Sequence, residues 1–203
     1  MALIIGIGGL GGSGKTTLAR KLQQTLPRSV LVEADCFSQP PSGKPGEWWG
    51  PDVKWHGLDW ERLRDQIILP FTRGQKEINY TKLNWENYGT DKAMLKHDAD
   101  ILIVDQITML RTELRPLFNL TIWVESDDAG RLNRICKRDG EKVRDIWQNE
   151  IIPLCEDYVR EHQPKANADI VYNALESTED NFSSLVEQVQ QALTPPTIKR
   201  SVG

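Results

Sequence analysis

Residues 6–17 read GIGGLGGSGKTT, and their types and spacing are suited to holding phosphate. Gly9-x4-Gly14-Lys15-Thr16 has the form of a P-loop, a glycine-rich turn whose backbone N–H groups surround phosphate oxygens. Gly6-x-Gly8-x-x-Gly11 and Gly9-x-Gly11-x-x-Gly14 also spell the dinucleotide fingerprint. The glycines cannot separate hydride transfer from phosphoryl transfer, because both chemistries set a turn and a helix N-terminus against phosphate. Lys15 can. A cation in the first helical turn opposes the macrodipole unless an anion lies between them, and a bound phosphate supplies that anion. Thr16 adds a hydroxyl for Mg²⁺, a duty that dinucleotide sites lack.

Two carboxylates extend the reading. Asp35 follows the second apolar run at the distance where a dinucleotide site places its ribose ligand, and where a kinase needs a carboxylate for the acceptor hydroxyl. Asp105 breaks that tie: Ile101 to Val104 are apolar and end in an acid, the Walker-B arrangement that faces Mg²⁺ at a strand C-terminus. The bland alternative is a strand that ends on a polar residue. Gln106 stands where a motor ATPase carries a water-polarising Glu, and no Asn-Lys pair exists to read guanine. Transfer to an organic acceptor is favoured over hydrolysis. Arg131, Arg134, Lys137, Arg138, Lys142 and Arg144 put six cations into fourteen residues, with Arg131, Arg134 and Arg138 on one helical face. Such a face is either a solvated surface or a lid, expected at about 127–145, that closes cations over a γ-phosphate.

The elements that must position these groups follow from periodicity. Apolar runs at 2–8, 29–34, 100–105, 119–125 and 168–173 predict five buried parallel strands. Helical patterns follow the glycines, precede the third run, occupy 127–139 and 143–162, and close the chain at 181–193. The alternation predicts one α/β domain over 1–193, a three-layer parallel sheet with helices on both faces, and a tail at 194–203. Residues 38–57 are too rich in Pro and Gly for a long element and predict a loop over the acceptor. Its Trp48, Trp49, Trp55 and His56 offer either an aromatic face for a ring or a plug that packs the loop down.

Composition bounds the partners. The 203-residue chain carries a net charge of −4 with no long like-charged run, which disfavours nucleic acid and favours a small molecule. ALIIGIGG is too short and Gly-rich for a signal or a membrane span. Cys36, Cys136 and Cys155 have neither disulfide nor zinc spacing, so a reducing cytoplasm is expected.

The run GSGKTTLARKLQQTLPRSVLVEADCFSQP resembles the opening of the uridine kinase and nicotinamide riboside kinase family, in which Asp-x-Phe follows the second strand. LDWERL at 58–63, RLNRICKRD at 131–139 and PKANADIVY at 164–172 are similar to its next helix start, its lid and its closing strand. The resemblance implies the P-loop NTPase fold of nucleoside and nucleotide kinases, with ATP and Mg²⁺ as cofactors. It implies phosphate ligands in Gly11, Gly12, Ser13, Gly14, Lys15, Thr16 and Thr17, Mg²⁺ ligands in Thr16 and Asp105, and Asp35 as base beside Lys15 and Arg134. Arg131 and Arg138 join Arg134 as lid cations, and Phe37, Asp52, Trp55 and His56 join Asp35 at the acceptor. The expected reaction is phosphorylation of the 5′-hydroxyl of a nucleoside, of uridine, cytidine or nicotinamide riboside type. A kinase for a non-nucleoside alcohol, a non-catalytic nucleotide binder and a dinucleotide oxidoreductase are the alternatives. The chain departs from the family at Asp105-Gln106, where Glu-Gly is common. Asp52 fits the family's Asp-His-Pro only with a one-residue shift, and Lys82-Leu83-Asn84, followed by Trp85, replaces Pro-Tyr-Asp.

Overall fold

LIIGIG, the first strand β1 (Leu3–Gly8), is apolar on both faces because both are covered. The computed structural model describes residues 2–39, 57–176 and 178–193. In it β1 is the centre of a five-stranded parallel sheet completed by β2 (Ser29–Glu33), β5 (Ile101–Asp105), β6 (Leu120–Glu125) and β7 (Ile170–Asn173), in the order β2-β5-β1-β6-β7. Five strands were expected and five form.

Helix α1 (Lys15–Thr25) and the C-terminal helix Glu179–Leu193 cover one face, through Leu18, Leu22, Leu185 and Val189. The helix over 60–72 and Tyr158 of the helix over 144–162 cover the other. Burial of such side chains supplies about 1.5–3 kcal/mol each. The two helices of the second face share an irregularity. Each widens into a π-helical turn, Arg64–Ile68 or Trp147–Ile151, two residues before Pro70 or Pro153. A proline ring clashes with the carbonyl four residues back and donates no bond to it, so the preceding turn opens.

An antiparallel hairpin, β3 (Glu77–Leu83) and β4 (Thr90–Lys96), lies apart from the sheet and was not expected from the apolar runs. It is fastened by Gln66, whose Oε1 accepts from Thr81 N at 2.8 Å and from Thr81 Oγ1 at 3.2 Å. Its turn is built by Asn84, which donates its N–H to Gly89 O at 2.9 Å and accepts from Glu86 N at 2.9 Å. Trp85 stands on that turn, half exposed.

Phe37 corrects an expectation. It was read as an acceptor contact, but it is fully buried, stacked on Tyr80 with 5.6 Å between ring centroids and covered by the Arg62 guanidinium at 5.3 Å. It closes a 3₁₀ turn, Ala34–Phe37, in which residues three apart lie on one side. Ala34 and Phe37 therefore anchor the turn while Asp35 points outward. Phe37→Ala is expected to destabilise the protein by about 3–5 kcal/mol, read as a lowered urea midpoint. A loss below about 1 kcal/mol would return Phe37 to the surface role.

Candidate active site

The loop between β1 and α1 is shaped by its glycines. Gly14 caps α1 at φ 94°, a left-handed conformation that a side chain would strain, and Gly12 has φ 72°. A Cβ on Gly12 would lie 2.5 Å from the Arg131 carbonyl oxygen, and one on Gly11 would lie 2.2 Å from the Trp147 ring. The loop therefore fits under the helix Asp128–Asp139 and under Trp147 only because those positions are glycine. Asp127 caps that helix by accepting from Gly130 N, so 127–130 starts a helix as expected.

At the C-terminal edge of the sheet, Thr16 Oγ1 donates to Asp105 Oδ2 at 2.7 Å. Asp105 is 2% exposed, and its Oδ1 is buried without a partner. Burial raises its carboxyl to about 6, opposed by the Thr16 bond and by the Lys15 charge. Lys15 is 9% exposed and has no hydrogen bond or ion pair among the described residues. An unpartnered carboxylate oxygen beside a helix-terminal hydroxyl fits Mg²⁺. Among the described residues no group of three or more His, Cys, Asp or Glu gathers to hold a metal, so substrate oxygens would complete its shell.

Two spaces adjoin this pair. A cleft of about 450 Å³ brings together Lys15, Asp35, Ser38, Trp85, Gln106 and Arg138. Its far wall is apolar, with Ile107, Ile146, Trp147 and Ile151. A hollow of about 170 Å³ holds Gly14, Lys15, Thr16, Thr17, Arg134 and Arg138. Asp35 and Asp105, 70 residues apart in the chain, are neighbours because β2 and β5 are paired, with Glu33 opposite Asp105.

No family model matches the chain. The chain is 28% identical over 203 residues to the uridine kinase of Halobacterium salinarum, an alignment that covers 94% of this chain and 87% of that protein. It is 25% identical over 202 residues to human nicotinamide riboside kinase 2, covering 95% and 83%. A solved structure described as a possible uridine kinase from Bacillus stearothermophilus superposes with a TM-score of 0.64 at 20% identity, over 84% of this chain and 88% of that one. The chain is similar to the uridine and nicotinamide riboside kinases. Its fold is that of P-loop kinases.

Set against this uridine kinase-like pattern, the site residues divide. Lys15, Thr16, Asp35 and Asp105 converge, and Arg138 reaches both spaces while pairing with Asp139 at 2.7 Å. Arg134 lines the hollow, but its Nε is spent on the Gly12 carbonyl at 2.8 Å. Arg131, read as a phosphate ligand, is buried and bonded to the Gly11 carbonyl at 3.3 Å and to Asp128 at 2.5 Å, so it braces the loop instead. Ser13 lies under the loop with its hydroxyl buried and unpartnered. Asp52, Trp55 and His56, with Trp48 and Trp49, fall outside the described residues. At the cleft edge the described chain on either side of them is joined: Ser38 bridges Leu58, and Gln39 N donates to Gly57 O at 2.5 Å. Trp85, Gln106 and Trp147 were not read as site residues; the aromatic ring of Trp85 beside the replaced Pro-Tyr-Asp was the one available signal. Burial pushes the Cys36 thiol up to about 11 and that of Cys155 to about 12, which leaves both protonated.

The Asp105 shift has a thermodynamic consequence. The folded state keeps the proton up to pH about 6, whereas the unfolded chain releases it near 3.8, so this contribution to stability is present below pH 3.8 and lost as pH rises through 6. Asp105→Asn is expected to stabilise the metal-free protein at pH 7.5 by about 1–3 kcal/mol. It should also flatten the pH dependence between pH 4 and pH 6.5, followed by urea denaturation at the two ends. An Asn variant less stable than the parent at pH 7.5 would contradict the buried-charge reading.

Proposed function

We propose that this chain is an ATP- and Mg²⁺-dependent kinase that phosphorylates the 5′-hydroxyl of a nucleoside, as one domain over 1–193 with an appended tail at 194–203. The observation that carries the proposal is the convergence of Lys15, Asp35 and Arg138 on one cleft whose floor is the phosphate-holding loop. The names of its relatives, uridine kinase and nicotinamide riboside kinase, support the acceptor class. A hollow of about 210 Å³ on the outer side of α1, between Arg134, Tyr172, Ala174 and Phe182, suits the base of the donor nucleotide. No described helix is long and apolar enough to cross a membrane, and the three cysteines are free; both agree with work in the cytoplasm.

In this reading the N–H groups of the glycine loop and Lys15 hold the β- and γ-phosphates, and Arg138 approaches the γ-phosphoryl from the lid side. Thr16 and Asp105 would hold Mg²⁺, which when bound would supply positive charge to offset that of the phosphates. The acceptor hydroxyl oxygen attacks the γ-phosphorus, the bond from that phosphorus to the β,γ-bridging oxygen breaks, and Asp35 takes the hydroxyl proton as ADP leaves. Trp85 and Trp147 offer aromatic surface to the acceptor's ring.

A panel of nucleosides and other alcohols with radiolabelled ATP tests the acceptor. Transfer confined to nucleosides is expected. The apolar wall of Ile107, Ile146 and Ile151 favours a second reading, a less polar non-nucleoside alcohol, which the same panel would reveal. Asp35→Asn is expected to leave ATP binding within a few-fold of the parent and to cut kcat by about 10²- to 10⁴-fold. Near-parental turnover in that variant would remove Asp35 from the reaction. Lys15→Ala should abolish transfer, and a fully active variant would overturn the role of the loop.

A further inference from the structure

Gln106 is a buried polar residue of the cleft that the mechanism above leaves unused. It is 2% exposed and lines the cleft beside Lys15 and Asp35. Its backbone N–H donates to Ile7 O at 3.2 Å, which holds it level with the start of the phosphate loop. Its side-chain oxygen is fully engaged: Oε1 accepts from Thr108 N at 2.6 Å and from Thr108 Oγ1 at 2.8 Å. With Oε1 committed to the turn after β5, the amide can present only its nitrogen elsewhere. Nε2 has no partner among the described residues, and it is not one of the buried atoms sealed off without one. Its two N–H donors therefore open onto the cleft.

The chemistry of the position narrows what those donors meet. Lys15 marks where phosphate charge is held, and Asp35 marks where the acceptor hydroxyl releases its proton. The group that lies between them during transfer is the γ-phosphoryl. A neutral donor there stabilises phosphoryl oxygens without the repulsion a carboxylate would bring, and an amide cannot take a proton from water. The resembled family commonly has glycine at this place, so the contact is a property of this chain.

We propose that Gln106 donates a hydrogen bond from Nε2 to an oxygen of the transferring γ-phosphoryl group, with Thr108 fixing the amide in that orientation. The identity of the transferred group rests on the kinase reading above.

Gln106→Glu tests this. One carboxylate oxygen can still serve Thr108, while the other places an acceptor where the donors stood. Calorimetric titration of the full chain with Mg·ADP and with the Mg complex of β,γ-imido-ATP reads the γ-phosphoryl contact without any acceptor. Gln106→Glu is expected to bind ADP within about threefold of the parent and imido-ATP at least about tenfold more weakly, with kcat reduced about 10²- to 10³-fold. Thr108→Val, which removes one of the two locks, should show an intermediate loss for imido-ATP and none for ADP. If Gln106→Glu melts early, Gln106→Ala is read by the same ratio. A variant that keeps the parent's ratio of ADP to imido-ATP affinity overturns the proposal. A lost ratio in a protein that phosphorylates no acceptor leaves the contact standing and removes the kinase reading; the reverse outcome removes the contact alone.

Discussion

Lys15 and Asp105 are two charged side chains taken out of water on either side of the Thr16 hydroxyl, and neither is fully compensated by the protein. Taking an ion out of water costs several kcal/mol unless its remaining donors and lone pairs are met. Here neither Asp105 Oδ1 nor the Lys15 ammonium has a partner among the described residues. A domain built for stability alone would place apolar side chains here. Under the proposed function, a magnesium-bound triphosphate would supply the anion and the divalent cation that compensate the two charges.

Much of the fold serves to hold that pair in place. β1 leads into the loop that turns Lys15 inward, and its neighbour β5 delivers Asp105 to the same edge, with Ile7 and Asp105 in register. The helix Asp128–Asp139 packs on the loop: Arg131 and Arg134 bond the carbonyls of Gly11 and Gly12, and the absence of a side chain at Gly12 lets the Arg131 backbone approach while its absence at Gly11 admits the Trp147 ring. Bonding the carbonyls from outside does not occupy the loop's N–H groups, of which Ser13 N donates to Leu10 O at 3.0 Å. Arg131 and Arg134 on that helix therefore brace the loop, and of the three arginines it is Arg138 that lines both the cleft and the hollow. The π-helical turn at Trp147–Ile151 sets Trp147 over Gly11, so the same helix that covers the sheet also walls the cleft.

The parallel sheet was legible in the sequence because strands covered on both faces must be apolar throughout, and each of the five runs became a strand. The hairpin was not legible for the same reason: TDKAMLK is largely exposed, EINYTKL buries only Ile78 and Leu83 among polar neighbours, and no continuous apolar run marks either strand. Missing the hairpin meant missing Trp85 as a cleft residue. Lys15, Thr16, Asp35 and Asp105 could be found because each sits directly at the end of an element whose type was readable. Phe37 and Arg131 misled because spacing places a residue on a turn or a face without saying whether its side chain points into the core. Gln106 was read only for the carboxylate it lacks; its donor role depends on Thr108 occupying its oxygen, a contact no spacing rule encodes.

A buried pair that serves the proposed kinase should take a magnesium–triphosphate and refuse a dinucleotide. Calorimetric titration of ATP with and without Mg²⁺, beside NAD under the same conditions, tests it most directly. ATP binding that Mg²⁺ tightens by tenfold or more, about 1.4 kcal/mol or more, is expected, with no measurable NAD binding. NAD binding tighter than ATP, or ATP binding indifferent to Mg²⁺, would contradict it.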